Sequence, residues 1–63
     1  MNNNLERIAQ FLRDEEYPKT PQEISNWTNI RLDCVYYTLQ NNKTFFRQII
    51  DKNDFLIGWT TEF

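Results

Sequence analysis

The segment from Thr20 to Leu39 constrains the fold more than any other part of the chain. It opens on Thr20-Pro21-Gln22-Glu23, which combines three helix-start signals. The Thr20 side chain can accept a hydrogen bond from an orphan N–H, and the Glu23 side chain can reach back to the Thr20 N–H. Pro21 stands at the first helical position, where its missing N–H costs nothing. These signals predict a helix over residues 21–27, with Ile24 and Trp27 on one side.

A second helix is expected immediately afterwards, over residues 31–41. The residues between the two, Thr28-Asn29-Ile30, leave room only for a tight turn. Asn29 is the one that most readily takes a left-handed backbone. Two helices joined by so short a turn form a helix-turn-helix.

The second of these helices, the third in the chain, has two chemically different sides. At 100° per residue, one arc is apolar and is expected to face the core: Leu32, Val35, Tyr36 and Leu39. The other side is expected to face outward, with Cys34 at its margin: Asp33, Tyr37, Gln40 and Asn41. This division decides which residues are available for binding.

A first helix is expected over residues 4–15, with Asn4 as its N-cap. Its apolar residues recur at helical spacing: Leu5, Ile8, Ala9 and Leu12, with Phe11 beside them. Pro18 favours extended geometry nearby. We therefore expect a short edge strand in this connection, with Tyr17 packed inward.

The C-terminal third predicts a β-hairpin, with strands at residues 45–50 and 55–60 around a turn at 51–54. A register centred on the turn pairs Ile50 with Phe55, Gln48 with Ile57 and Phe46 with Trp59, on a face expected to pack on the helices. The opposite face pairs Ile49 with Leu56 and Arg47 with Gly58. A glycine inside a strand indicates close approach of another group, such as the Arg47 stem. Phe63, in the tail, either packs on the core or stays free.

Composition excludes several classes of protein. The 63 residues suffice for one domain, residues 1–63, and contain no His, one Cys and one Gly. The lone Cys34 allows no internal disulfide and fits a reducing compartment. No nucleophile has an evident base partner, and neither a metal-ligand spacing nor a glycine-rich phosphate loop is present. We therefore expect no enzyme, no cofactor, no metal site and no small-molecule substrate.

The ends of the chain and its apolar runs bear on location. Met1-Asn2-Asn3-Asn4 lacks the basic and apolar regions of a signal peptide, and no apolar run approaches the ~20 residues of a membrane span. These features predict a complete cytoplasmic protein without a membrane partner.

Three helices followed by a hairpin resemble the winged helix-turn-helix superfamily, an α+β fold, over nearly the whole chain. The residues that carry the resemblance are Thr20-Pro-Gln-Glu-Ile24, the Asn29-Ile30 turn, Val35 and Leu39 four apart, and the Phe46–Trp59 hairpin. Asn29 stands where many members have glycine, and no appended dimerisation helix follows. Stand-alone winged helices of this size are common among phage, viral and plasmid proteins, so the resemblance also suggests such a source.

The run Val35-Tyr-Tyr-Thr-Leu39, with a tryptophan late in the second wing strand, is also similar to Z-DNA-binding domains. In that family a tyrosine at the position of Tyr37 meets the nucleic acid. Asp33 falls where that family carries an asparagine, and the proline pair of its wing is absent here.

The resemblance implies double-stranded DNA as a partner, with the third helix in the major groove and the wing on the backbone. Gln and Asn side chains can bond adenine at two points, and Asp can accept from cytosine N4. The residues expected to face bases are Asp33, Tyr37, Gln40 and Asn41. Those expected on the phosphate backbone are Arg31, Lys43, Arg47 and Lys52, with Asn53 beside the last, and Thr28 and Asn29 from the turn. Transcriptional regulation follows as the expected role.

A protein-interaction module on the same scaffold is the alternative. The net charge of −2 counts against nucleic-acid binding rather than for it. An exposed apolar pair can mark a dimer or partner surface. The residues expected on such a surface are Tyr37, Ile49 and Leu56, in a module that forms a wing-mediated dimer or binds another protein.

Overall fold

A computed structural model of the chain describes residues 3–61 and shows three helices followed by a two-stranded antiparallel hairpin. The elements are α1 (Asn3–Asp14), α2 (Pro21–Thr28), α3 (Leu32–Asn41), β1 (Phe46–Ile50) and β2 (Leu56–Thr61). This confirms the predicted α+β layout of a winged helix-turn-helix, with the hairpin as the wing. Asn4 lies inside α1 rather than at its cap, and the expectation for Phe63 concerns a residue outside the described range. Within that range, no helix combines the length and apolarity needed to cross a membrane.

The start and end of α2 follow from its sequence. The Thr20 side chain accepts a hydrogen bond from the Glu23 N–H, and the Thr20 N–H donates to Glu23 Oε1 at 2.9 Å. These two bonds form the predicted capping box. Asn29 ends the helix in the left-handed region, with φ 62° and ψ 28°, and its N–H donates to the Ser25 carbonyl. The tight turn into α3 is therefore built as the sequence predicted.

The core lies where the three helices meet the base of the wing. Every described element and the α2–α3 turn contribute to it: Ile8, Leu12, Ile24, Ile30, Val35, Leu39, Phe46 and Trp59. Each such side chain contributes about 1.5–3 kcal/mol by leaving water. A chain of this length buries only about 60% of its unfolded surface, so these few side chains carry much of the stability.

The buried side of α3 differs from the predicted arc. Leu32 and Tyr36 are 36% and 49% exposed, whereas Thr38 is buried. Thr38 is tolerated inside because its hydroxyl donates to the Cys34 carbonyl at 2.8 Å. The helix is therefore rotated by roughly 50° from the orientation that hydrophobicity alone favours.

Two aromatic side chains lie at the surface. Trp27 is 75% exposed and stacks on Phe11 with ring centroids 6.4 Å apart, whereas Ile24 is buried. Tyr17 is 71% exposed, so the prediction that it packs inward was wrong.

The hairpin register is shifted from the one centred on the turn. Phe46 faces Thr61, Gln48 faces Trp59 and Ile50 faces Leu56, with an irregularity that leaves Ile57 as an extra residue in β2. Phe46 and Trp59 are buried as predicted, but the distal wing residues are not: Ile50, Phe55 and Ile57 are 46–70% exposed. The wing therefore extends beyond the helices, and only its base packs on them.

A single β-bridge from the α1–α2 connection holds the base of the wing in place. Lys19 and Trp59 exchange two backbone hydrogen bonds of 3.0 and 2.7 Å, so the expected edge strand exists as one residue. Gly58 lies against this crossing. A Cβ built on it would meet the Lys19 nitrogen at 2.7 Å and the Pro18 carbonyl carbon at 2.8 Å. The group that requires a glycine here is therefore the Pro18–Lys19 backbone and not the Arg47 stem.

We expect Gly58→Ala to destabilise the fold by about 1–3 kcal/mol, because a backbone cannot move aside as a flexible side chain can. Urea unfolding followed by circular dichroism measures the change, with Gln48→Ala as the control on the neighbouring strand. A Gly58→Ala variant as stable as the wild type would show that the crossing is looser than 2.7 Å.

The capping box predicts a pH dependence. The hydrogen bond from the Thr20 backbone N–H lowers the pKa of the Glu23 carboxyl below its ordinary value of 4.5. A lowered pKa stabilises the fold above the unfolded value, and this contribution disappears as the pH falls through the folded value. Glu23→Gln should therefore be less stable than the wild type at pH 7, by only about 0.3 kcal/mol because the group is exposed and screened.

This stability difference should shrink as the pH falls through the lowered pKa of Glu23 and vanish below it, where both side chains are neutral. Urea unfolding of the two proteins at pH 7 and below that pKa measures it. A difference that grows as the pH falls would contradict the assignment.

Candidate nucleic-acid interface

The outward side of α3 carries the side chains expected to read bases. Tyr37 is 67% exposed, and Asp33, Gln40 and Asn41 are exposed as well. The rotation of α3 leaves all of them at the surface, because it brings Thr38 inward and turns Tyr36 outward. The outward side is therefore wider and more aromatic than the sequence indicated.

The amide side chains at the end of α3 differ in the hydrogen bonds that they already make. Asn41 Nδ2 donates to the Tyr37 carbonyl at 2.7 Å, and Asn42 Nδ2 donates to the Thr38 carbonyl at 2.8 Å. Bidentate contact with adenine needs both the amide nitrogen and the oxygen. The bond to Tyr37 holds the Asn41 amide against its own helix, so Gln40 is the better placed reader.

At the start of α3, Arg31 and Asp33 neutralise each other. Arg31 Nη2 lies 3.1 Å from Asp33 Oδ2, and both side chains are largely exposed. Asp33 Oδ1 also accepts from the Cys34 N–H at 2.9 Å, which suits a carboxylate in the first turn of a helix. Asp33 is thus engaged locally, and Arg31 offers a phosphate less than a full charge.

Lys43 and Arg47 come together between the end of α3 and the start of β1. They line one groove whose floor is aromatic, together with Thr44, Gln48, Phe46 and Trp59. No carboxylate is among the residues that line it in the described part of the chain. This groove is the place where two of the predicted backbone-binding residues share a site.

The wing tip has the opposite balance. Lys52 and Asn53 are exposed there, but Asp51 and Asp54 flank them. Asp51 Oδ1 accepts from the Asn53 N–H at 2.8 Å and from the Phe55 N–H at 3.0 Å, so the carboxylate organises the turn. The tip carries two acids and one base, and its Lys52 is a weak candidate for phosphate contact.

The turn residues do not both support the predicted phosphate contact. Thr28 is buried, its hydroxyl donates to the Ile24 carbonyl at 2.6 Å, and Ile30 N–H donates back to it. Its carbonyl accepts from Arg7 Nη2. Thr28 is therefore engaged within the fold, and its contact with a phosphate stays a prediction. Asn29 is exposed, with its N–H committed to Ser25.

Two sets of surface residues were missed at the sequence level. Thr44 and Gln48 line the Lys43–Arg47 groove, and the position of Thr44 directly after Lys43 was the available signal. Beside the predicted Leu56, further exposed apolar residues of the distal wing form the second set: Ile50, Phe55 and Ile57. Ile49 and Leu56, predicted as partners, face Gly58 and Ile50 instead.

Comparisons of the chain with protein-family models, with curated proteins and with solved structures found no match. The likeness to winged helices is therefore one of layout, and the functional argument depends on the side chains themselves.

The surface placement of Tyr37 is directly testable. Tyr37→Ala should change the free energy of unfolding by less than about 0.5 kcal/mol, as is usual for exposed side chains. Leu39→Ala, two residues along the same helix and fully buried, should cost about 2–5 kcal/mol. Urea denaturation measures both. A large loss in Tyr37→Ala would mean that this ring stabilises the core and is unavailable to a partner.

Proposed function

We propose that this chain binds double-stranded DNA through α3 and the Lys43–Arg47 groove, in the manner of a small winged-helix regulator or accessory factor. The observation that supports this most is the pairing of two cations beside the exposed end of α3, in a groove with no described acid. In this proposal a phosphate binds in the groove, and Gln40 and Tyr37, which are exposed on α3, contact bases.

The charge distribution sets how strong such binding can be. Arg31 is paired with Asp33, and Lys52 lies between two carboxylates, so neither supplies a full charge. About two phosphates would be neutralised by Lys43 and Arg47, which gives a log–log salt slope near −2. If Arg31 and Lys52 also engaged fully, the slope would lie between about −3 and −4.

The groove can be tested by charge reversal in a DNA titration. Lys43→Glu and Arg47→Glu should each weaken binding of a mixed-sequence duplex about tenfold at ~50 mM salt, because each removes one phosphate contact. Wild-type affinity should fall about tenfold between ~50 and ~200 mM salt. Fluorescence anisotropy of a labelled duplex measures both effects.

Arg13→Glu is the matched control. Arg13 is exposed on α1 and bonds Gln10 at 2.6 Å, and its reversal changes the net charge by the same amount as the other two. It should leave the affinity nearly unchanged. Equal losses in all three variants, or no binding at tens of micromolar protein, would reject the groove as a DNA site.

A protein partner is the second candidate, and one observation favours it. The distal wing exposes Ile50, Phe55, Leu56 and Ile57 at 42–70% each. Four large apolar side chains approach the largest patches found on monomers, about 300–600 Å², which often serve an interface. A module that retained the scaffold for protein contact would bind through this part of the wing, with Tyr37 as a separate exposed anchor.

A further inference from the structure

The outer edge of the wing is open. The sheet contains β1 and β2 alone within residues 3–61, and Lys19 bridges to β2 on the side away from β1. Nothing in that range pairs with the other side of β1. An open edge presents backbone donors and acceptors in a row and is a template for another strand.

The direction of these groups follows from the Lys19–Trp59 bridge. Trp59 exchanges both of its backbone hydrogen bonds with Lys19, so both point away from β1. In an antiparallel pair, the residue opposite such a position also turns its N–H and C=O away from its partner. Gln48 faces Trp59, so its backbone groups point to the open edge. By alternation, those of Ile50 do so as well.

The side chains of this strand are self-complementary. Arg47, Ile49 and Asp51 alternate along one face of the extended chain. When such a segment pairs antiparallel with a copy of itself about Ile49, Arg47 of each copy lies opposite Asp51 of the other. Opposite charges in such positions stabilise a sheet, and like charges in them destabilise it.

Of the exposed apolar residues of the distal wing, Ile50 lies on this edge, whereas Phe55, Leu56 and Ile57 lie in the turn and in β2. Ile50 pairs with Leu56, and both are exposed, as is Phe55 in the adjoining turn. In an antiparallel pairing about Ile49, Ile50 of one copy would lie opposite Gln48 of the other and cover part of this surface.

We propose that β1 pairs antiparallel with β1 of a second copy of this chain, about a two-fold axis at Ile49, to form a continuous four-stranded sheet. The partner is a second copy because the charge pattern is complementary to itself. This inference concerns self-association alone and does not depend on DNA binding.

The competing register, centred on Gln48, is less favourable. It would place Arg47 opposite Ile49, so that neither Arg47 nor Asp51 would face a charged residue of the other copy. It would also require the Phe46 N–H to bond the second copy, although this N–H already donates to the Asn42 carbonyl at 3.1 Å. The register about Ile49 uses the outward groups of Gln48 and Ile50 and leaves the Phe46 bond intact.

Such a dimer would be weak. Its contact would fall below the ~1,200 Å² of standard interfaces, so a dissociation constant on the order of 100 µM is expected. Sedimentation equilibrium of the full chain without DNA, from about 10 µM to 1 mM, covers that range. The average mass should rise toward twice that of the monomer.

A charge exchange between the strands tests the register. Arg47→Asp alone and Asp51→Arg alone each place like charges opposite one another, so each should remain monomeric. Their equimolar mixture restores both opposite-charge pairs and should form a heterodimer. A mixture that stays monomeric while the wild type dimerises would overturn the pairing about Ile49.

Because Asp51 also organises the turn, a second variant leaves that turn intact. Gln48→Pro removes an N–H that points away from β2, and proline is tolerated on edge strands. It should keep the circular dichroism spectrum and lose association at least tenfold. Tyr17→Ser, which removes another exposed aromatic, should associate as the wild type does. A wild type that is monomeric throughout, a folded Gln48→Pro that still dimerises, or a monomeric Tyr17→Ser would each overturn the proposal.

Discussion

The two hydrogen bonds between Lys19 and Trp59 position the wing, and most features of the surface depend on them. They fix Trp59 in the core and bring the Pro18–Lys19 backbone against Gly58. They also decide which backbone groups of β2, and hence of β1, point outward. A side chain at Gly58 would displace this crossing and with it the base of the wing. Lys19, a single residue of the α1–α2 connection, thus pairs with β2 as a third strand would.

Local signals were enough to predict the elements and their order. Thr20, Glu23 and Pro21 mark the start of α2 by hydrogen-bond chemistry that needs no tertiary partner. Asn29 marks its end through a backbone conformation that few other residues accept. The outward side of α3 could also be predicted, since Tyr37, Gln40 and Asn41 lie opposite Val35 and Leu39 in any orientation close to the observed one.

The features that the sequence did not predict depend on which of several possible side-chain contacts forms in the folded chain. Thr38 enters the core because its hydroxyl has a partner one turn back, whereas Tyr36 was assigned there on its apolar ring. The hairpin register is set by the carboxylate of Asp51, which accepts from two N–H groups of the turn, and by the extra residue Ile57. The pairing of Arg31 with Asp33, and the meeting of Lys43 and Arg47 in one groove, likewise required the fold.

Arg47 connects the two uses proposed for the wing. In the groove it supplies one of two cations to a phosphate, and in the sheet dimer it faces Asp51 of the second copy. When the Arg47 guanidinium is bound to that carboxylate, it binds a phosphate less well. When a phosphate occupies the groove, Asp51 of the second copy faces an Arg47 whose charge is already neutralised. Thermodynamic linkage makes such an effect reciprocal. If self-association lowers the affinity for phosphate by some factor, bound phosphate lowers the affinity of self-association by the same factor. Because both contacts use the same guanidinium, they compete, and the charge on Arg47 determines how they are balanced.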